Sequence, residues 1–444
     1  MTFGVWSSKS GGVVTPRFSI EIDWERLDAG SEEVRATFGA IGLRVDGVWL
    51  SEAHDQFVNR VRQKVHLSGY LLAHWLSWNW WRLLWEPRRS TLSWKMAHRL
   101  SNIGGGYVWP NIDCITDGAR ILLQATPTRS TASEPLRYVA EVDAVIEKSE
   151  FECGAEQFVE RILEQLRAEG IAETQLSSDW AQLQDERRDR NSSWYRRLEA
   201  SMGYDPDEAD EGRIEALIAE ASELGRNGIA ELAAGVQPNE TIPGARELRE
   251  IADGSGHDVD LGAIPELALA ELERSGSGRP AWFVATAVAR ELRRRAGLGA
   301  GRVTDESLAE LAGVSADVLQ PKAVAAPFSY ALNGEGRRSR VVLQTPIATN
   351  RRFALARMIG DRILARLDEP LIPIMRSYSF RQKRQRAFAA ELLCPVEQVV
   401  EELDAERSDE SQERVAAEYK VSPMLVRTQL VNAGLIERQS LNEF

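Results

Sequence analysis

Histidine is scarce: the chain has five in 444 residues, and none follows His257. Imidazole is the commonest side chain for holding a catalytic metal, so everything after His257 lacks the usual ligand for metal-assisted hydrolysis. Cysteine is scarcer still. Cys114, Cys153 and Cys394 are far apart and odd in number, which excludes a disulfide framework and points to a reducing compartment. No run reaches the roughly eighteen uninterrupted apolar residues that span a bilayer. The first sixteen residues have no apolar stretch flanked by basic ones, so no signal peptide and no membrane partner are expected. The net charge of −13 argues against indiscriminate nucleic-acid binding. These deficits imply a cytoplasmic globular protein long enough for two or three domains.

The charge that is present is unevenly placed. Between Arg337 and Arg386 thirteen Arg or Lys stand against Asp361, Asp368 and Glu369, so this stretch carries +10 and the remainder −23. Tryptophan is equally concentrated: Trp75, Trp78, Trp80, Trp81, Trp85, Trp94 and Trp109, seven of thirteen, lie within 71–109. Read as a helix, Leu72, Leu76, Trp80 and Leu83 form one stripe and Trp78, Trp81 and Trp85 a second, leaving Asn79, Arg82 and Glu86 as the only polar line. Such a helix suits burial or a partner contact. Base stacking or cation caging is the alternative use of the same rings. His54, His66, His74, His98, Asp113 and Cys114 share this region, but no pair has a recognised metal spacing.

The expected fold class is α+β and mostly helical. Residues 1–150 read as a Trp-rich α+β domain, with strand-like alternation over 17–25, 36–51, 119–125 and 137–146 and a turn at Asp46-Gly47. Residues 151–237 read as a helical connector, and 238–258, rich in Gly and Pro, as a linker. Residues 259–444 form the remaining domain. Within it, Phe328–Leu332 and Arg340–Thr345 predict a hairpin across Asn333-Gly334, and 368–379 predicts an exposed loop. Residues 412–433 predict a helix-turn-helix-like unit with Arg427, Thr428, Gln429 and Asn432 on its second helix and Gly434 closing it. Its acidic flank (Glu401, Glu402, Asp404, Glu406, Asp409, Glu410) favours a structural role over DNA reading.

The most informative stretch is Arg352-Phe353-Ala354-Leu355-Ala356-Arg357-Met358-Ile359-Gly360-Asp361, a helix start with Asn350 as its expected N-cap. Together with Arg386-Ala387-Phe388-Ala389-Ala390-Glu391-Leu392-Leu393-Cys394-Pro395, it resembles the ImmA/IrrE family of bacterial metallopeptidases. That family reads R-F-T-L-A-H-E-L-G-H followed by E-x-N-x-F-A-A-x-L-L-M-P. The resemblance covers about 280–444 and implies a zincin-like fold. It places Arg357 and Asp361 where the two zinc histidines stand, Met358 at the general-base glutamate and Arg384 at the acidic third ligand. Arginine stays protonated and offers no lone pair, so neither catalytic residues nor a bound metal or other cofactor are expected here.

Two functions from different classes follow. Family members cleave repressor proteins in stress or mobile-element control. A degenerate copy implies a regulatory or sensor pseudoenzyme that binds a partner protein, with phage defence a natural setting. The alternative is a nucleic-acid- or anion-binding protein whose basic cleft is built from Arg352, Arg357, Arg384 and Arg386. A competing account has these arginines pairing internally with Asp361, Glu391 and the acidic stretch 397–413.

Overall fold

In the computed structural model, which describes residues 17–129, 134–237, 240–260, 280–334, 339–365, 369–403 and 407–436, helix takes about 52% and strand about 17% of the described residues. The fold is mixed α/β with helix dominant. Residues 1–16, Arg337, Asp368, Asp404 and Glu406, named above, and Arg338 and Arg366 of the basic stretch lie outside the described residues. The chain forms two units: residues 1–80, 95–115 and 121–184, then residues 81–94, 116–120 and 185–444. This partition departs from the expected boundary at 150. The helix that follows residue 147 belongs with the first strands, and two short N-terminal segments belong with the C-terminal half.

In the first unit, β1 (Phe18–Trp24) pairs antiparallel with β2 (Phe38–Val45), Phe18 opposite Val45, and β3 (Val65–Ser68) also pairs with β2. Alternation puts Phe18, Ile20 and Ile22 on the buried face. After β3 the chain enters α1 (Gly69–Trp78), capped by the Ser68 hydroxyl, which accepts from the Leu71 amide. The face of β1 is covered by α2 (Lys148–Ala168), whose Phe151, Ala155, Phe158 and Ile162 recur at helical spacing and are buried. Gly154 permits the close approach, because a Cβ there would lie 2.7 Å from Phe18 Cδ1.

The tryptophan run is two helices rather than one, since Asn79 ends α1 and turns its side-chain amide onto the Trp75 carbonyl. Trp75, Trp80, Trp81, Trp94 and Trp109 are buried, and Trp78 is 45% exposed. The polar line is buried too: Asn79, Arg82 and Glu86 are all inside, and Arg82 Nε donates to Glu86 at 2.7 Å.

The long C-terminal part of the second unit includes α3 (Arg190–Met202), α4 (Glu211–Leu224) and α5 (Arg226–Gly235). Most of the expected linker is ordered structure: α6 (Ala245–Ser255) and β4 (His257–Val259) occupy it, with Leu248 and Ala252 buried in the local core. Next come α7 (Ala281–Arg295), β5 (Ser329–Asn333) and β6 (Ser339–Val342), the last two pairing as the expected antiparallel hairpin, Asn333 opposite Ser339. The motif helix α8 (Ala348–Ala365) starts before Asn350, which therefore lies inside it and does not cap it. The expected exposed loop contains β7 (Leu371–Ile374), all four residues buried. Its Pro373 is tolerated because β7 is an edge of the sheet, ordered β4-β6-β5-β7.

The second phrase of the resemblance lies on α9 (Phe380–Leu393), started by the Ser379 cap and packed against both α7 and α8. Gly360 of α8 faces Phe388 of α9. The chain then forms α10 (Asp409–Tyr419), a left-handed turn at Lys420 and α11 (Pro423–Asn432). Gln429 is buried and donates to the Cys394 carbonyl, while Arg427 donates to Asp409 at 2.5 Å, so two of the four expected DNA-facing side chains are engaged internally.

Gly360→Ala would place a methyl 2.4 Å from Phe388 Cδ1. We expect the variant to fold with a loss of about 1–3 kcal/mol in chemical denaturation, typical of overpacking. Phe388→Leu in the same background should recover part of that loss.

Candidate functional site

Helical spacing brings the motif residues together. Arg357 and Asp361, four apart, share one face of α8, and Arg381, Gln382 and Gln385 face them from the first turns of α9. Arg381 grips Asp361 with two parallel hydrogen bonds, Nε to Oδ1 at 2.9 Å and the terminal nitrogen to Oδ2 at 2.6 Å. Gln385 Nε2 adds a third donor to Asp361 Oδ1 at 2.9 Å. Arg357 donates to the Met375 carbonyl at 2.9 Å, to Gln385 Oε1 at 3.0 Å and to Gln382 Oε1. Gln382 in turn accepts from the Met375 amide at 2.8 Å and donates to the Pro373 carbonyl at 3.0 Å.

Burial sets the electrostatics. It pulls Arg381 down, but Asp361 and Glu231 outweigh it and hold the guanidinium above its ordinary value. The oxygens that accept from Arg357 are all neutral. Burial, aided by Arg386, pushes its guanidinium well below the ordinary range, with Asp361 opposing. Glu231, from α5, is buried and accepts from the Ser379 hydroxyl at 2.6 Å. Burial raises its carboxyl above the usual 4.5, and Arg381 reverses this only in part.

Beside this network is a cavity of about 460 Å³. Asp361, Arg381, Arg384 and Gln385 line one side, Glu231 and Arg197 another, and Trp85, Pro87 and the turn 117–119 close it. The turn is held in place from within the same unit: the Phe380 amide donates to the Asp117 carbonyl at 2.7 Å, and Lys383 Nζ lies 3.1 Å from the Asp117 carboxylate.

The predicted positions are thus divided. Arg357 is internal, Met358 is a fully buried core residue, Asp361 is 3% exposed and occupied by Arg381, and Arg384 lines the cavity with its guanidinium carbon 5.4 Å from the Phe380 ring centre. Arg352 is buried against the Val303 carbonyl and Asp305, and Arg386 donates to the Ser377 carbonyl at 2.9 Å. Arg352, Arg357, Arg384 and Arg386 therefore do not form one basic cleft. Glu391 pairs with Arg290 at 2.7 Å, away from Arg357. The residues missed in the sequence are Arg381, Gln382, Gln385, Glu231 and Arg197. Gln382 and Gln385, three apart on the helix of Arg384, carried the readable signal.

These donors do not fit a zinc ion. Two positions are guanidiniums, one is a thioether in the core, and both oxygens of the remaining carboxylate already accept hydrogen bonds. In the first unit the histidines are dispersed: His54 meets Asn59, His66 meets Glu25, His74 meets Asp179 and His98 meets the Cys114 carbonyl. Among the described residues no three of His, Cys, Asp and Glu come together to hold a metal, and no helix is long and apolar enough to cross a membrane. No protein family, curated protein or solved structure matches this chain.

Breaking the Arg381–Asp361 pair strands a buried charge, so Arg381→Ala should cost about 3–5 kcal/mol in urea denaturation. The double variant with Asp361→Ala should lose much less than the two single losses summed. Glu231 gives a pH test. Its folded pKa is raised, so the native state binds more protons than the unfolded one above the ordinary carboxylate range, and stability falls as pH rises there. Glu231→Gln should match the parent near the ordinary carboxylate range and gain stability over it as pH rises above that range, measured by thermal melts at a series of pH values.

Proposed function

We propose that the protein is a catalytically degenerate metallopeptidase-like regulatory or sensor protein that works by binding a partner protein rather than by cutting it. The observation that carries this reading is a hydrogen-bonded network where the resemblance puts a ligand set: Arg357, Asp361, Arg381, Gln382 and Gln385 are joined by hydrogen bonds across α8 and α9. The family resemblance puts the hydrolytic centre at this helix pair. The contact of Gly360 with Phe388 joins the two phrases on which that resemblance rests. A hydrolase needs a lone-pair donor set with an open coordination position, and a guanidinium supplies neither. The partner would be held by the peptidase-like unit, and bacterial stress, mobile-element or phage-defence control is the setting that the resemblance suggests.

Nucleic-acid binding is the weaker reading. Arg351 and Arg352 are each 1% exposed and Arg357 is 7% exposed, so three of the arginines behind the local +10 are unavailable to a phosphate backbone.

Metal content measured by mass spectrometry, before and after zinc is offered, tests the proposal. We expect no stoichiometric zinc and no hydrolysis of protein substrates in either condition. One zinc per chain, lost on substituting Asp361, would overturn it.

A further inference from the structure

We propose that the cavity beside the network binds a small organic anion, a phosphate monoester or carboxylate with a planar apolar part, and that Arg197 orients it. The inference stands on the cavity and does not require the partner-protein reading.

The carboxylates at the cavity are committed: Asp361 to Arg381, Asp117 to Lys383 and to the Ala119 and Arg120 amides, and Glu231 to the Ser379 hydroxyl. Arg381 is committed to Asp361 as well. Arg197 is different. Among the described residues no carboxylate pairs with it, and its Nε is buried without a hydrogen-bond partner. Its guanidinium carbon lies 3.9 Å from the Trp85 ring centre and 5.3 Å from that of Trp194. The rings fix the plane of the fork and leave its N–H edge as the unused part, the geometry that takes a carboxylate or phosphate by two parallel bonds. Burial pushes this guanidinium down to about 10, with Glu231 opposing, so an added anion at its N–H edge would supply the compensation that burial withholds.

The remaining walls describe the rest of the ligand. Trp85, Pro87, Phe380, Ala230, Ala234 and Leu364 give flat and apolar surface, and Asn227 and Ser201 offer hydrogen bonds. A volume of about 460 Å³ is far more than an inorganic oxyanion fills and suits a molecule of about mononucleotide size.

Calorimetric titration of the full chain at pH 7 with AMP, benzoate and inorganic phosphate tests this. We expect saturable binding of AMP or benzoate, tighter than inorganic phosphate, and the stronger of the two tells phosphate from carboxylate. Arg197→Gln should weaken that binding at least tenfold, while Arg246→Gln, on an exposed helix face, should leave it unchanged. Ala119→Leu narrows the cavity from the turn and should also weaken binding, which keeps the test decisive if the Arg197 variant does not fold. Failure of both organic anions to bind, or binding that neither Arg197→Gln nor Ala119→Leu alters, would overturn the proposal. Zinc content bears on the hydrolase question and not on this one.

Discussion

The helix pair at the centre of the second unit depends on one buried ion pair. Asp361 is almost wholly out of water, and a carboxylate in that position is tolerable only if its charge is matched and its lone pairs are used. Arg381 does both with a bidentate grip, and Gln385 adds a further donor. Once Asp361 is fixed, the rest has little freedom. Arg381 pins the start of α9 to the end of α8, which sets the register in which Gln382 and Gln385 reach Arg357 and Gly360 meets Phe388. The network specifies an arrangement more than it supplies stability, because a well-packed apolar substitute would avoid the desolvation of every charge in it.

A high local count of one charge sign therefore says little about display. Arg351 spends its donors on the Val318, Lys322, Leu343 and Thr345 carbonyls, fastening four points of the backbone from inside. Arg352 does similar work at Val303 and Asp305. Five fixed donors make arginine a good internal fastener as well as a good anion receptor. The two uses differ only in whether carbonyls or carboxylates have reached the fork first. At Arg197 none has, and that is where the second unit offers charge to a ligand.

Much of the local structure was readable. The hairpin strands, the α8 and α9 helices and the final helix pair follow from periodicity and turn residues, signals that act over a few positions. What was misread depends on distant neighbours. The glycines and proline of 238–258 suggest a linker, but α6 is drawn into order because Leu248 and Ala252 find a core. Pro373 suggests a loop, but an edge strand needs no amide at that point. Asn350 has the right chemistry for a cap, and the helix simply begins three residues sooner than that cap would start it. At the site, Arg357, Asp361 and Arg384 could be named because the motif marks them. Arg197 and Glu231 could not, since they come from helices more than 120 positions away and no local pattern announces the meeting.

The second unit draws on three separate parts of the chain, 81–94, 116–120 and 185–444. Trp85, Pro87 and the turn at 117–119 leave the ribosome well before α8 and α9 exist to receive them. The cavity can close only after synthesis is nearly complete, so loop closure over more than two hundred residues is part of making it. It also means that the unit cannot be cut out as a single continuous fragment. A truncated chain beginning near residue 185 would keep the residues of the ion-pair network and lose one wall of the cavity, exposing to water the side of Arg197 that Trp85 covers.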